Sequence, residues 1–79
     1  MTHYYLHQRG GPHEFIDEEG QELPDLDAAR RCAIGGIRSI LADEVMHGRF
    51  HLDERIDICT SDGRPLLSVA FSEAVAVAS

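Results

Sequence analysis

Apolar and polar positions alternate with different periods in different parts of the chain. In the middle, Leu26, Ala29, Ala33, Ile37, Ile40, Leu41 and Val45 recur mostly in steps of three and four, tracing one face of a helix. Arg30, Arg31, Arg38, Asp43 and Glu44 fall mostly elsewhere. Pro24 holds Leu23 extended, and Asp25 then stands where an N-cap is needed. Asp27 adds negative charge near the positive end of the helix dipole. Gly48 is placed to end the helix as its C′ residue. The predicted helix has about 22 residues and a length of roughly 33 Å. A six-residue strand covers only about 20 Å, so the helix must overhang a small sheet, bend, or meet a partner. Gly35-Gly36 in its middle costs about 1 kcal/mol per glycine relative to alanine. The pair points either to close packing on the sheet, or to a kink or a crossing at a dimer interface.

A period of two governs the flanks. His3-Tyr4-Tyr5-Leu6-His7 reads as a first strand, with Tyr4 and Leu6 on one face and His3, Tyr5 and His7 on the other. Arg9-Gly10-Gly11-Pro12 breaks it, and Phe15-Ile16 is the candidate for a short second strand. Asp17-Glu18-Glu19-Gly20-Gln21-Glu22 follows as an acidic turn. Beyond the helix, Arg55–Thr60 and Pro65–Phe71 flank Asp62-Gly63, the favoured centre of a type I′ hairpin. That centre sets Ile58 against Leu67, Ile56 against Val69 and Asp57 against Ser68, and a slip of one residue would destroy the match. Cys59, Leu66, Ala70 and Tyr5 fall on the opposite, mixed face. Pro65 belongs at an edge or a frayed end. Residues 72–79 either extend an edge strand or fray.

These pieces predict a single α+β domain. A small antiparallel sheet of three or four strands, ordered β-(β)-α-β-β, carries one long helix on one face. The expected core is Tyr4, Leu6, Leu26, Ala29, Ala33, Ile37, Ile40, Leu41, Ile56, Ile58, Leu67, Val69 and Phe71.

Composition narrows the choice of partner. The chain has 79 residues and a net charge of −7 with neutral histidines. That balance disfavours nucleic acid and anionic membrane, which need basic surface. No apolar run approaches the 18 or so residues of a membrane span, and the first residues lack the pattern of a signal peptide. The protein is expected in the cytoplasm, with Cys32 and Cys59 reduced.

The turn and its surroundings carry a resemblance. Tyr4-Tyr5-Leu6-His7 opens the chain, and Asp17-Glu18-Glu19-Gly20-Gln21-Glu22-Leu23-Pro24-Asp25-Leu26 leads into Ala28-Ala29-Arg30. Asp62-Gly63-Arg64 and Leu67-Ser68-Val69-Ala70-Phe71-Ser72 close it. Over nearly its full length the chain resembles a family of short bacterial proteins, of alphaproteobacterial type, known only as a domain of unknown function. Its pattern is an aromatic first strand and a D-x-E-G-x-E-L-P-D-L turn before an Ala-rich helix. Gly35-Gly36 departs from that pattern. The resemblance implies no activity and no catalytic residues.

Chemistry is sparse. His3 and His7 share a strand face but lie about 13 Å apart, too far to hold one ion. His47 and His51 have helical spacing, but Gly48 ends the helix between them. The acidic turn lacks the ligand order of a calcium loop. Ser61 and Ser68 have no elbow motif, Gly10-Gly11 is no phosphate loop, and nothing orients a cysteine with a histidine. Asp25 and Asp27 already occupy the positive end of the helix, which disfavours a bound anion there. No enzyme activity, cofactor or metal is expected. The expected role is a protein–protein interaction module, meeting a second copy or a basic partner. Its candidate surface is Asp17, Glu18, Glu19 and Glu22 of the turn, with Tyr5 and Leu66 of the sheet. The alternative is a small-ligand or metal-binding protein that uses histidines and the acidic turn.

Overall fold

The computed structural model describes residues 1–11 and 14–75. Its elements are β1 (Thr2–Arg9), β2 (Gln21–Leu23), α1 (Leu26–Met46), β3 (Arg55–Cys59), β4 (Pro65–Ala70) and a closing 3₁₀ turn, Phe71–Ala74. The four strands make an antiparallel sheet in the order β2-β1-β3-β4, and α1 packs on one face of it. This is the α+β arrangement read from the sequence.

Both ends of α1 follow from local chemistry. The Asp25 carboxylate accepts from the Ala28 N–H at 2.8 Å and so caps the first turn. At the other end Gly48 takes φ +74°, the left-handed conformation of a C′ residue. The Arg49 N–H then donates to the Glu44 carbonyl at 2.8 Å, and the Gly48 N–H donates to the Val45 carbonyl at 3.1 Å. This pair of bonds turns the chain back along the helix it has just left. Gly35 and Gly36 lie inside the continuous helix and are exposed. A Cβ built on either would meet nothing within 4 Å, so close packing on the sheet is not their role.

The buried stripe of α1 is Ala29, Ala33, Ile37 and Leu41. It packs with Tyr4, Ile56, Ile58, Val69 and Phe71, while Leu6, Leu26, Ile40 and Leu67 are half-buried at its margin. Removing each large side chain from water contributes roughly 1.5–3 kcal/mol. Residues 71–74 do not extend β4. They form a 3₁₀ turn that buries Phe71 and Ala74 against the core, and the Arg38 Nε donates to the Ala74 carbonyl at 2.9 Å. Of the expectation for the tail, residues 76–79 lie outside the described ones.

Two strand expectations are corrected. Phe15-Ile16 is not a strand, since Phe15 makes only an isolated bridge to Gln8 and both side chains are exposed. The second strand is Gln21–Leu23, paired with Thr2–Tyr4 two residues out of step with that bridge. Residues Asp17–Gly20 absorb the difference. Gly20 takes φ +66° and runs so close to β1 that a Cβ would lie 2.8 Å from the Tyr4 carbonyl.

In the β3–β4 hairpin, Ile58 faces Leu67, Ile56 faces Val69 and Asp57 faces Ser68, as expected. The turn, however, is not type I′. Only Gly63 has positive φ, whereas that type needs it at both centres. The Gly63 N–H donates to the Thr60 carbonyl at 3.0 Å, and the strands close at Thr60 and Arg64. That closure alone would leave the strands one residue out of step. A bulge beside Ile58/Cys59, where Leu66 is the extra residue, restores the register.

Candidate functional site

The acidic turn spends most of its chemistry on itself. The Asp17 carboxylate accepts from the backbone N–H groups of Leu6 (3.2 Å), Gly20 (3.0 Å) and Glu19 (3.3 Å), while its own N–H donates to His7 Nδ1 at 3.0 Å. Burial pushes its pKa up, but the donations from Gly20, Leu6 and Glu19, with His7 nearby, outweigh burial and hold the carboxyl below its ordinary value. Half-buried Asp17 thus acts as a structural cap within the turn. Glu18 and Glu19 remain exposed, and the Glu19 carbonyl lies 2.7 Å from His3 Nε2.

The sheet face opposite α1 is closed by polar pairing. Tyr5 sits between the rings of His3 and His7, at centroid distances of 5.1 and 6.4 Å. Glu22 reaches His3 across the strand pair at 4.0 Å. Asp57 gathers Arg9 (3.4 Å), Arg55 (3.1 Å) and the Ser68 hydroxyl (2.9 Å). Leu66 is exposed at the bulge of edge strand β4. Cys59 is buried, and burial followed by nearby Asp57 pushes its thiol up, so it is a poor nucleophile. The sequence-derived surface is therefore split. Glu22 and Tyr5 flank the His3 ring, Asp17 is occupied by backbone, and Leu66 sits two strands from β1.

The end of α1 and the loop to β3 are built differently. Val45, Met46, Phe50, Leu52 and Val75 are exposed apolar side chains. All but Leu52 line a groove of about 500 Å³ together with Leu41 and Arg38. The sequence asks that so long a helix overhang the sheet, bend or meet a partner, and this end of it exposes Val45 and Met46.

Beside the groove, the reversal at Gly48 brings His51 back to Glu44, with Nδ1 2.6 Å from a carboxylate oxygen. This hydrogen bond raises the His51 pKa; desolvation opposes it, and the charges of Glu44, Asp53 and Glu54 add to the rise. Glu54 completes the cluster. It is 5 % exposed and, among the described residues, receives one side-chain hydrogen bond, from Gln8 Nε2 at 3.1 Å. One ligand atom from each of Glu44, His51 and Glu54 lies within 4.8 Å of the others. His47 turns away to the Asp43 carbonyl, and His3 and His7 are separated by Tyr5. No sequence motif joins positions 44, 51 and 54. The usable signal was Gly48, which foretold a reversal without saying what it would bring together.

Among the described residues no helix is long and apolar enough to cross a membrane. The family described as Domain of unknown function (DUF6894) matches residues 3–72, and the chain belongs to it. No curated protein and no solved structure matches the chain.

Proposed function

We propose that the protein is a non-enzymatic protein–protein interaction module of the bacterial cytoplasm. It self-associates through the groove at the end of α1. The observation that carries this reading is the exposure of Met46 (85 %) and Val45 (57 %) beside an apolar hollow walled by Leu41, Phe50 and Val75. A protruding side chain next to a hollow makes a self-complementary surface. Two copies related by a twofold axis can each seat Met46 in the groove of the other. The unbranched thioether suits an irregular hollow.

Light scattering on a size-exclusion column tests this over a range of concentrations. The wild-type protein is expected to approach the mass of two chains. Val45→Asp combined with Met46→Asp should return the mass of one chain with an unchanged circular dichroism spectrum. A wild-type protein with the mass of one chain at every concentration, or a double variant that still pairs, overturns the proposal.

A further inference from the structure

The cluster at the end of α1 combines an exposed histidine nitrogen with two carboxylates, one of them, Glu54, almost wholly buried. Glu44 Oε1 is buried and has no hydrogen-bond partner among the described residues. Glu54 is almost wholly buried, and among the described residues its side chain receives a single neutral amide donor and no arginine pairs with it. Gly11 runs so close over it that a Cβ there would collide with the carboxylate. Buried carboxylates are ordinarily paired with a cation or coordinate a metal. His51 can supply one positive charge at most, and it faces Glu44.

We propose that Glu44, His51 and Glu54 bind a divalent transition-metal ion such as Zn²⁺. One imidazole nitrogen with carboxylate oxygens suits Zn²⁺ or Mn²⁺ better than Ca²⁺, which takes six to eight oxygens. Ligands about 2.1 Å from a tetrahedral ion are roughly 3.4 Å apart. Atoms already within 4.8 Å reach that geometry by small side-chain movements. Glu44 Oε1 then gains a partner, and the fourth position is left to water. The ion ties the helix to the returning loop that carries Phe50. The site stands independently of the self-association proposed above.

Calorimetric titration of the chelator-treated protein with Zn²⁺ tests the site, with Co²⁺ absorption as a report on geometry. One equivalent should bind, raise the melting temperature and give the visible bands of a low-coordinate Co²⁺ site. Glu54→Gln and His51→Gln should each weaken binding by about 100-fold or more, given that losing even an outer-shell partner weakens metal binding 10–100-fold. His47→Ala should bind as the wild type does. Glu54→Gln should also melt no lower than the wild type without metal, which separates a lost ligand from a lost fold. Absence of a stoichiometric site in the wild type overturns the proposal. So does unchanged affinity in Glu54→Gln and His51→Gln, or loss of binding in His47→Ala.

Discussion

The acidic entry turn, between β1 and β2 on the way to α1, and the exit segment, from the last turn of α1 to β3, both carry carboxylates, yet they treat them in opposite ways. Asp17 in the first accepts from three backbone N–H groups, and its own N–H is taken by His7. In the second, among the described residues, Glu44 keeps a buried oxygen without a partner, and Glu54 is buried with one amide donor. The apolar side chains differ in the same sense. The exit loop adds Phe50 to a groove that Val45 and Met46 already open. The entry loop exposes Phe15 and Ile16 beside a turn that has closed on itself. Charge alone would nominate the entry turn as the site. The balance of donors and acceptors nominates the exit.

The largest effect that could break this contrast is on stability. Asp17→Ala strands three backbone donors and should cost about 3 kcal/mol in urea unfolding, at roughly 1 kcal/mol or more for each charge-assisted bond lost. A loss as small as that of an ordinary surface substitution would return Asp17 to the docking surface. Glu54→Gln replaces a buried carboxyl that no described arginine pairs with, and without metal it should be neutral or stabilising. The two carboxyl substitutions thus differ in sign.

The helix between the two loops gives the next effect. Gly35→Ala with Gly36→Ala should stabilise the protein by about 1–2 kcal/mol, since each alanine removes an entropic cost and meets open space. The double variant should associate as the wild type does. If it becomes monomeric, the interface lies at mid-helix and not at the exit.

The smallest effect is the pH response of the entry turn. The Asp17 pKa is lower in the folded protein than in the unfolded chain. The stability it contributes is therefore fully present above the ordinary carboxylate value and is lost as pH falls through the lowered one, below about pH 4. Melting temperatures from pH 5 to pH 2 should fall less steeply in Asp17→Asn than in the wild type. Equal slopes would mean that the backbone bonds to Asp17 do not favour its ionised form.

The contrast also explains what the sequence could convey. The helix was legible because Asp25, Gly48 and a seven-residue apolar stripe agree on it. The β3–β4 register was legible because only one pairing keeps Ile56, Ile58, Leu67 and Val69 together. β2 was not, because Gln21-Glu22-Leu23 is short, polar and at the sheet edge, where pairing depends on how Asp17 and Gly20 turn the chain. Phe15-Ile16 looked more strand-like but, among the described residues, pairs only through the bridge to Gln8. The hairpin turn was misread because the Leu66 bulge, invisible in a pairing pattern, lets a different turn carry the same register. The Glu44, His51 and Glu54 cluster was hidden for a related reason. Its members share no period and meet only after the reversal at Gly48.

The central claim is that the exit from α1, not the acidic turn, is where the protein meets a partner. A concentration series of ¹⁵N–¹H correlation spectra, read residue by residue, tests it most directly. Dilution is expected to shift the amides of Val45, Met46, Phe50 and Val75 and to leave Asp17, Glu18, Glu19, Glu22 and Tyr5 unmoved. Shifts centred on the turn and Tyr5, or a spectrum that does not change with concentration, would contradict it.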